Sequence, residues 1–360
     1  MKMKKIGIDA RLYFQTGVGT YIRNLLHYLS QLHEHTVQYY VYVLPKDVSN
    51  IHLPHDFFLI RPVDAPWHSL REQIVFYSVL IKDNLDLMHF TYFSYPIGYS
   101  KPFIATVHDV TPLLFKTGRA STLNPLWYEI KHQVFKFVLS SQIRHARAII
   151  TPTKAVKNQM GTIYGSDILS KIYPLYEGVN HELMNTKSNL SLGKKYSKPF
   201  YLYVGNFYPH KNVNALVEVW KDMKDQLVLV GPDNMFARKL KNDIAIHAIK
   251  HIRFVPAATI EDLAFFYTHA KALINPSLSE GFGLPLIEAT YFGCPVIASD
   301  IPVFKELLGD HYISFDPQNS ESIGKALRSE KLSKVPVSIL KKLSFEKMAK
   351  DTLEIYKKHF

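Results

Sequence analysis

Short β-rich runs alternate with stretches of helical period along almost the whole chain, and this alternation confines it to parallel-sheet α/β architecture. KKIGID, VQYYVYV, DLMHF, PFIATV and AIITP read as strands of a first half, and YLYVG, QLVLVG, HIRFV, ALINP and CPVIAS as strands of a second. Between them Glu177 to Pro199 is polar, with scattered Gly, Ser, Asn and Lys and no sustained period. At 360 residues, 47% of them hydrophobic, the chain suits two domains of ordinary size. The expected boundaries are residues 1–180, a linker at 181–198, and a second domain at 199–342. An amphipathic helix over residues 343–360 is expected to pack back on the first domain.

With 43 Lys+Arg against 31 Asp+Glu the formal net charge is +12, which points to an anionic partner: a nucleotide, a membrane surface or a nucleic acid. The excess is uneven, since residues 1–195 hold 22 Lys+Arg and 13 Asp+Glu. A nucleic-acid binder should show a clustered basic and aromatic motif, and the lysines here are scattered. The single cysteine, Cys294, excludes an intrachain disulfide and a cysteine-based metal cluster, and reads as a small core residue. After MKMKK, Asp9 and Arg11 interrupt any signal-peptide apolar region, and no uncharged apolar run is long enough to span a bilayer, so a cytoplasmic protein is expected.

Four loops carry candidate chemistry. Gly17 and Gly19 stand between the strand IGID and a helix whose Ile22, Leu25, Leu26, Leu29 and Leu32 share one face. Such a loop either brings backbone N–H groups to an anion at a helix N-terminus or is a tight turn with no ligand. The nicotinamide fingerprint is a poor match, because Ile22 occupies the place of its third glycine. His108 and Asp109 follow the strand PFIATV directly, at the C-terminal edge where ligands bind in open α/β sheets, although a structural histidine fits there too. Gly205, Asn206, Lys211 and Asn212 lie between the strand YLYVG and a helix containing Val213, Leu216, Val217 and Trp220, an arrangement that would suit a diphosphate. Finally, Glu280 and Glu288 flank a Gly-Phe-Gly-Leu-Pro turn in apolar surroundings. Two carboxylates there need partners, and the hydroxyls of one polyhydroxylated ligand would supply them.

From IGIDARLYF through TGVGTY, TVHDVTPL, AIITPTKAV, YEGVN, YVGNFYPHKN and FVPAATIEDLAFFY to SEGFGLPLIEATYFGCPVIASDIPVFKELLGD, the chain resembles the retaining glycosyltransferases of family 4. That resemblance implies a GT-B fold, two Rossmann-like doubly wound domains facing a central cleft, with the acceptor bound by the N-terminal domain and a nucleotide sugar by the C-terminal one. It implies that Glu280 contacts the donor sugar, Glu288 the ribose hydroxyls, Lys211 the diphosphate, and the Phe282-Gly283-Leu284 backbone the phosphates and sugar. Gly17 and Gly19 would face the donor, and His108 would lie beside sugar and acceptor. Many members carry an Arg shortly before the Lys, and Asn206 stands there, so the diphosphate depends more on Lys211, helix dipoles or another cation.

No cofactor is expected, and no Asp-x-Asp metal motif occurs, so activity should be metal-independent. TVHDVTPL and YEGVN look most like the mannosyltransferase branch, which makes GDP-mannose the preferred donor, with UDP-sugars the alternative and an epimerase or silent sugar binder on the same fold a further one. The acceptor is expected to be a glycan or a lipid-linked glycan in polysaccharide or lipopolysaccharide synthesis. Leu126 to Ile150 reads as a long helix in which Lys131, Lys136, Arg144 and Arg147 accompany Trp127, Tyr128, Phe135 and Phe137. Such a helix either lies against anionic lipid or packs on the sheet with its cations solvated.

Overall fold

The structure is a computed structural model that describes residues 3–54, 56–115 and 125–360, and the side chains of residues 129–360 within the last of these spans. The chain divides into two compact units, Met1–Glu177 together with Ser344–Phe360, and Gly178–Leu343.

The first unit holds β1 (Lys4–Asp9), β2 (Val37–Val43), β3 (Phe58–Pro62), β4 (Leu87–Phe90), β5 (Phe103–Thr106), β6 (Ala148–Thr151) and β7 (Ile172–Pro174). They form one sheet in the order β3-β2-β1-β4-β5-β6-β7, parallel throughout. Every residue of β4, β5 and β6 is buried, as a sheet covered on both faces requires. The order reverses between β1 and β4, and the loops after those two strands therefore frame the crevice at the sheet's C-terminal edge. The helix Val18–Gln31 buries Tyr21, Ile22, Leu25, Leu26 and Leu29. The closing helix Phe345–His359 packs against it, starts at Ser344, whose hydroxyl caps Lys347 N, and sends the Tyr356 hydroxyl to His89 Nδ1 at 2.7 Å.

The second unit holds β8 (Phe200–Val204), β9 (Gln226–Val230), β10 (Ile252–Val255), β11 (Ala272–Asn275), β12 (Val296–Ser299) and β13 (Ile313–Phe315). Their order, β10-β9-β8-β11-β12-β13, is again parallel and repeats the doubly wound pattern, with its reversal between β8 and β11. Trp220, wholly buried beneath this sheet, stands edge-on to Tyr201.

Three strands, β3, β7 and β13, were not among those expected, and each is an edge strand. An edge strand is shielded by one neighbour only, so FLIRP, IYP and ISF are short and partly exposed and carry no continuous apolar run. Residues 181–198, read as a linker, lie inside the second unit. There they form the helix His181–Met184 and the 3-10 turn Leu190–Lys194, and Asn189 anchors them by donating from its N–H to Glu261 O at 3.0 Å and from its side chain to Asp262 Oδ1 at 2.7 Å. Polar anchors of this kind leave no apolar period to read.

Candidate active site

In the second unit the candidate residues cluster on the loops after β8 and β11, the two strands at which the strand order reverses. Gly205 leaves β8 with its N–H on Val230 O at 2.9 Å, and the Asn206 carbonyl accepts the Tyr203 hydroxyl. The turn Pro209–Lys211 follows, and Asn212, in the left-handed region at φ 56°, starts the helix Val213–Trp220. Its side chain donates to Pro317 O at 2.8 Å. The two loops are tied together where Leu278 N–H meets His210 O at 2.8 Å.

That tie places Lys211 on Glu280. Lys211 Nζ lies 2.7 Å from both Glu280 Oε1 and Oε2, and the Ser277 hydroxyl donates to Oε1 at 2.7 Å. Burial opposes the charge on Glu280, but Lys211, Ser277 and His210 outweigh it and lower the pKa below the ordinary carboxylate value. Phe282 is buried, and Gly283, at φ 97°, opens the helix Leu284–Tyr291 with Pro285 in its first turn. A side chain at Gly283 would press on the Phe304 ring, whose nearest carbon is 2.8 Å from the Cβ position.

Glu288 lies one turn into this helix and is buried. Its Oε2 accepts the Tyr267 hydroxyl at 2.7 Å. Burial pushes its pKa up, and the Tyr267 hydrogen bond only partly offsets this. The two glutamates thus titrate in opposite directions: Glu280 is held as a carboxylate by a cation, whereas Glu288 is held by a neutral hydroxyl.

In the first unit Gly17 and Gly19 play different parts. Gly17, at φ 58°, precedes the helix Val18–Gln31, and nothing lies within 4 Å of where its Cβ would be. A Cβ on Gly19 would fall 2.5 Å from Tyr13 O, so the loop itself requires a glycine at this position.

His108 follows β5, beside the reversal point of its sheet. Its Nε2 lies 2.9 Å from Thr91 O, and because a carbonyl only accepts, Nε2 carries the proton. Nδ1 is 3.5 Å from Glu177 Oε1, and the Tyr21 ring stands edge-on to the imidazole at 4.8 Å. Below, Thr106 Oγ1 meets the Tyr21 hydroxyl at 3.1 Å and His89 Nε2 at 2.7 Å. Burial first, and the neighbouring His108 second, bring the His89 pKa down to about 3, so His89 is a neutral structural link. Asp109 is occupied locally, its Oδ1 accepting from Thr111 N–H at 2.7 Å.

Sequence reasoning missed Ser277, Tyr267 and Glu177. Ser277 stands three residues before Glu280, a local signal. Glu177 lies in the quoted YEGVN stretch, but its meeting with His108, 69 positions earlier, could be read from the fold alone.

Two doubly wound parallel sheets with polar loops at both reversal points define a two-domain α/β protein, and comparison with known proteins gives its family. Residues 15–183 match the family described as Glycosyltransferase Family 4, and residues 185–334 match Glycosyl transferases group 1. The chain belongs to the family 4 glycosyltransferases, and its fold is GT-B. It is 30% identical over 238 residues to the O-antigen chain mannosyltransferase RfbU of Salmonella typhimurium, a match that covers 64% of this chain and 65% of that relative. Among solved structures, sucrose-phosphate synthase from Thermosynechococcus elongatus superimposes with a TM-score of 0.78 at 18% identity over 99% of this chain and 98% of the other. Anabaena HepE in complex with UDP and glucose does so with 0.72 at 12% identity, over 99% and 100%.

Proposed function

We propose that the protein is a retaining hexosyltransferase that takes mannose from GDP-mannose and places it on a glycan or lipid-linked acceptor in cell-surface polysaccharide or lipopolysaccharide synthesis. The observation that carries this reading is the Lys211–Glu280 pair on the loops after β8 and β11, where an open α/β sheet receives its ligand. Similarity to RfbU supports mannose in particular.

In the proposed reaction the bond from the sugar's anomeric carbon to the diphosphate oxygen breaks, and the acceptor hydroxyl forms a new bond to that carbon on the same face. The hydroxyl's proton passes to the departing phosphate. Negative charge grows on the diphosphate as it leaves, and a preorganised ammonium at Lys211 stabilises that charge more in the transition state than in the ground state. Gly205, Asn206, the backbone of Phe282, Gly283 and Leu284, and the space beside Gly17 would receive phosphates and sugar. Glu280 would accept hydrogen bonds from sugar hydroxyls with the carboxylate face that Lys211 releases, and Glu288 from the ribose. The acceptor would lie with the first unit, near His108, and the donor with the second.

Nucleoside diphosphate release from a panel of GDP-, UDP- and dTDP-sugars, with and without glycan acceptors, tests this. GDP-mannose should give the highest turnover. A UDP-sugar in first place would favour the second reading, for which the likeness to the UDP-bound HepE speaks. No turnover with any donor would refute both. Activity should survive EDTA, since the sequence lacks an Asp-x-Asp motif, and loss restored by Mg²⁺ or Mn²⁺ would overturn the metal-independent mechanism.

We further place the protein at the cytoplasmic side of a membrane, held peripherally. Among the described residues no helix is long and apolar enough to cross one. On the helix Pro125–His145 the exposed side chains Ile130, Val134 and Phe137 fall four and three residues apart, on one stripe, with exposed Lys131 beside them. Phe135 instead packs inward against Phe93 at 5.4 Å. Trp127 and Tyr128 lie outside the described side chains.

A further inference from the structure

We propose that Glu177 is a positioning residue for transfer: it holds the His108 ring so that neither imidazole nitrogen takes the acceptor's proton, and the ring serves as a fixed wall beside the reacting groups. This rests on the glycosyltransferase reading above.

The geometry runs through both ends of the ring. Nε2–H is committed to the Thr91 carbonyl at 2.9 Å, and Thr91 is itself fixed by its hydroxyl, which donates to Asp9 O on the neighbouring strand β1. At the other end Nδ1 faces the Glu177 carboxylate at 3.5 Å, with the His108 and Glu177 side chains only 11% and 6% exposed. Both partners are acceptors, one at each nitrogen, and the edge-on Tyr21 ring closes a third side. A base that is to accept a proton needs a bare nitrogen within hydrogen-bond reach of it. A carboxylate has no proton to give a bare nitrogen, so Glu177 can hold Nδ1 only through an Nδ1–H, and a ring held that way offers no lone pair to the acceptor's hydroxyl. The same-face displacement leaves the proton to the departing phosphate, so a histidine without a free nitrogen is consistent with it.

A buried carboxylate is costly to retain, which gives Glu177 a reason to exist only where it has partners. It stands just beyond β7, after Leu175 N–H bonds Thr151 O at 2.8 Å, and it is the last residue of the first unit before Gly178 opens the second. The residue that ends the first unit is therefore the one that fixes His108.

The experiment compares wild type with Glu177→Ala, Glu177→Gln, His108→Ala and the double variant Glu177→Ala/His108→Ala, using the best donor of the panel. Glu177→Ala should lower kcat roughly 10- to 100-fold, the scale seen when a supporting shell is removed, with donor KM changed less than about threefold. Glu177→Gln, which keeps an acceptor oxygen, should recover most of the loss. In the His108→Ala background, adding Glu177→Ala should cost less than about threefold, because residues that act through one another are not additive. Full additivity, or an unchanged kcat in Glu177→Ala, would overturn the proposal. Long-range ¹H–¹⁵N NMR of the His108 imidazole provides a readout independent of turnover. Nε2 should be protonated in wild type, and the Nδ1 shift should move in Glu177→Ala; an unmoved Nδ1 shift refutes the contact. Should wild type turn over no donor, the enzymatic reading fails, while the NMR result still decides whether Glu177 holds the ring.

Discussion

Lys211 Nζ reaches both carboxylate oxygens of Glu280 at 2.7 Å, so the two groups that the family resemblance assigns to different parts of the donor are partners of each other. A site built this way is neutralised before the donor arrives. Binding a diphosphate draws the ammonium toward a stronger anion and frees carboxylate lone pairs for sugar hydroxyls, so the two subsites should fill together.

Lys211→Ala therefore removes more than one charge. Turnover should fall by roughly 2 to 4 kcal/mol in kcat/KM, the scale of one preorganised electrostatic group. A loss below tenfold would mean that another cation carries the diphosphate. The variant also leaves Glu280 with Ser277 and His210 but without the ammonium that opposes burial most, so its pKa should rise from the lowered position the pair gives it. A lowered folded-state pKa contributes stability above the unfolded value of roughly 4.3 that is lost on acidification through the folded value. A raised one has the opposite slope. The melting-temperature gap between wild type and Lys211→Ala should thus narrow as pH falls from 7 toward 4, and a gap that widens would show that the pair is not what depresses Glu280.

Glu288 supplies the converse case. Its folded-state pKa is raised by burial, so the wild-type protein loses stability as pH climbs from the unfolded carboxylate value through the raised one. Glu288→Gln keeps an oxygen for the Tyr267 hydroxyl and removes the buried charge. It should melt at or above wild type at pH 7 to 8, with that advantage shrinking toward pH 4, and it should bind donor more weakly if the carboxylate receives the ribose hydroxyls. Calorimetry across pH and a donor KM measure the two effects separately. A melting temperature well below wild type at pH 8 would contradict the electrostatic account, and an unchanged donor KM would contradict the ribose role.

These residues also mark how far sequence could go. Central strands are legible because burial on both faces demands an unbroken apolar run, as in FIAT and ALIN, whereas FLIRP and ISF at the sheet edges meet no such demand. The loops after strands were legible as a class, because a Gly, a helix start and a charge at one strand end have few other uses. What remained hidden was pairing. Tyr267 reaches Glu288, and Glu177 reaches His108, across intervals that only the folded sheet closes. Gly17 and Gly19 were indistinguishable as letters, since both satisfy the same loop pattern, yet only one has open space beside it.

That difference predicts different failures on substitution. Gly19→Ala forces a methyl to within 2.5 Å of a backbone carbonyl that cannot move without its loop, and should cost about 1 to 3 kcal/mol of stability, visible as a lower melting temperature. Gly17→Ala meets no atom within 4 Å, and its methyl projects into the space proposed for the donor. At φ 58° any side chain strains the backbone, so some loss of melting temperature should accompany the raised donor KM expected if this space holds the donor. If Gly17→Ala leaves donor KM at the wild-type value, that space is not part of the donor site.

The last prediction concerns the exposed stripe of the helix Pro125–His145. Ile130, Val134 and Phe137 are 46%, 55% and 62% exposed, while Val138, Leu139 and Ile143 on the same helix are buried in the first unit's core, so the helix carries apolar side chains on two faces and packing consumes only one of them. A solvated helix has no need of the second. With Lys131, Arg144 and Arg147 exposed along the same segment, the arrangement suits an anionic lipid surface, where cations draw the helix in and the apolar stripe enters the headgroup boundary. Wild type should co-sediment with anionic vesicles more than with neutral ones at low salt, and added salt should weaken this because exposed charges are screened beyond about 10 Å at 0.1 M. Val134→Ser/Phe137→Ser should reduce vesicle binding while leaving the melting temperature and the turnover of a soluble acceptor near wild type, since both side chains are largely exposed. Lys131→Gln should lessen the salt dependence and retain the apolar part of the affinity. Equal binding to neutral and anionic vesicles would remove the membrane from the account and leave the transferase reading where it stands; undiminished binding by the double serine variant would move the contact to another face.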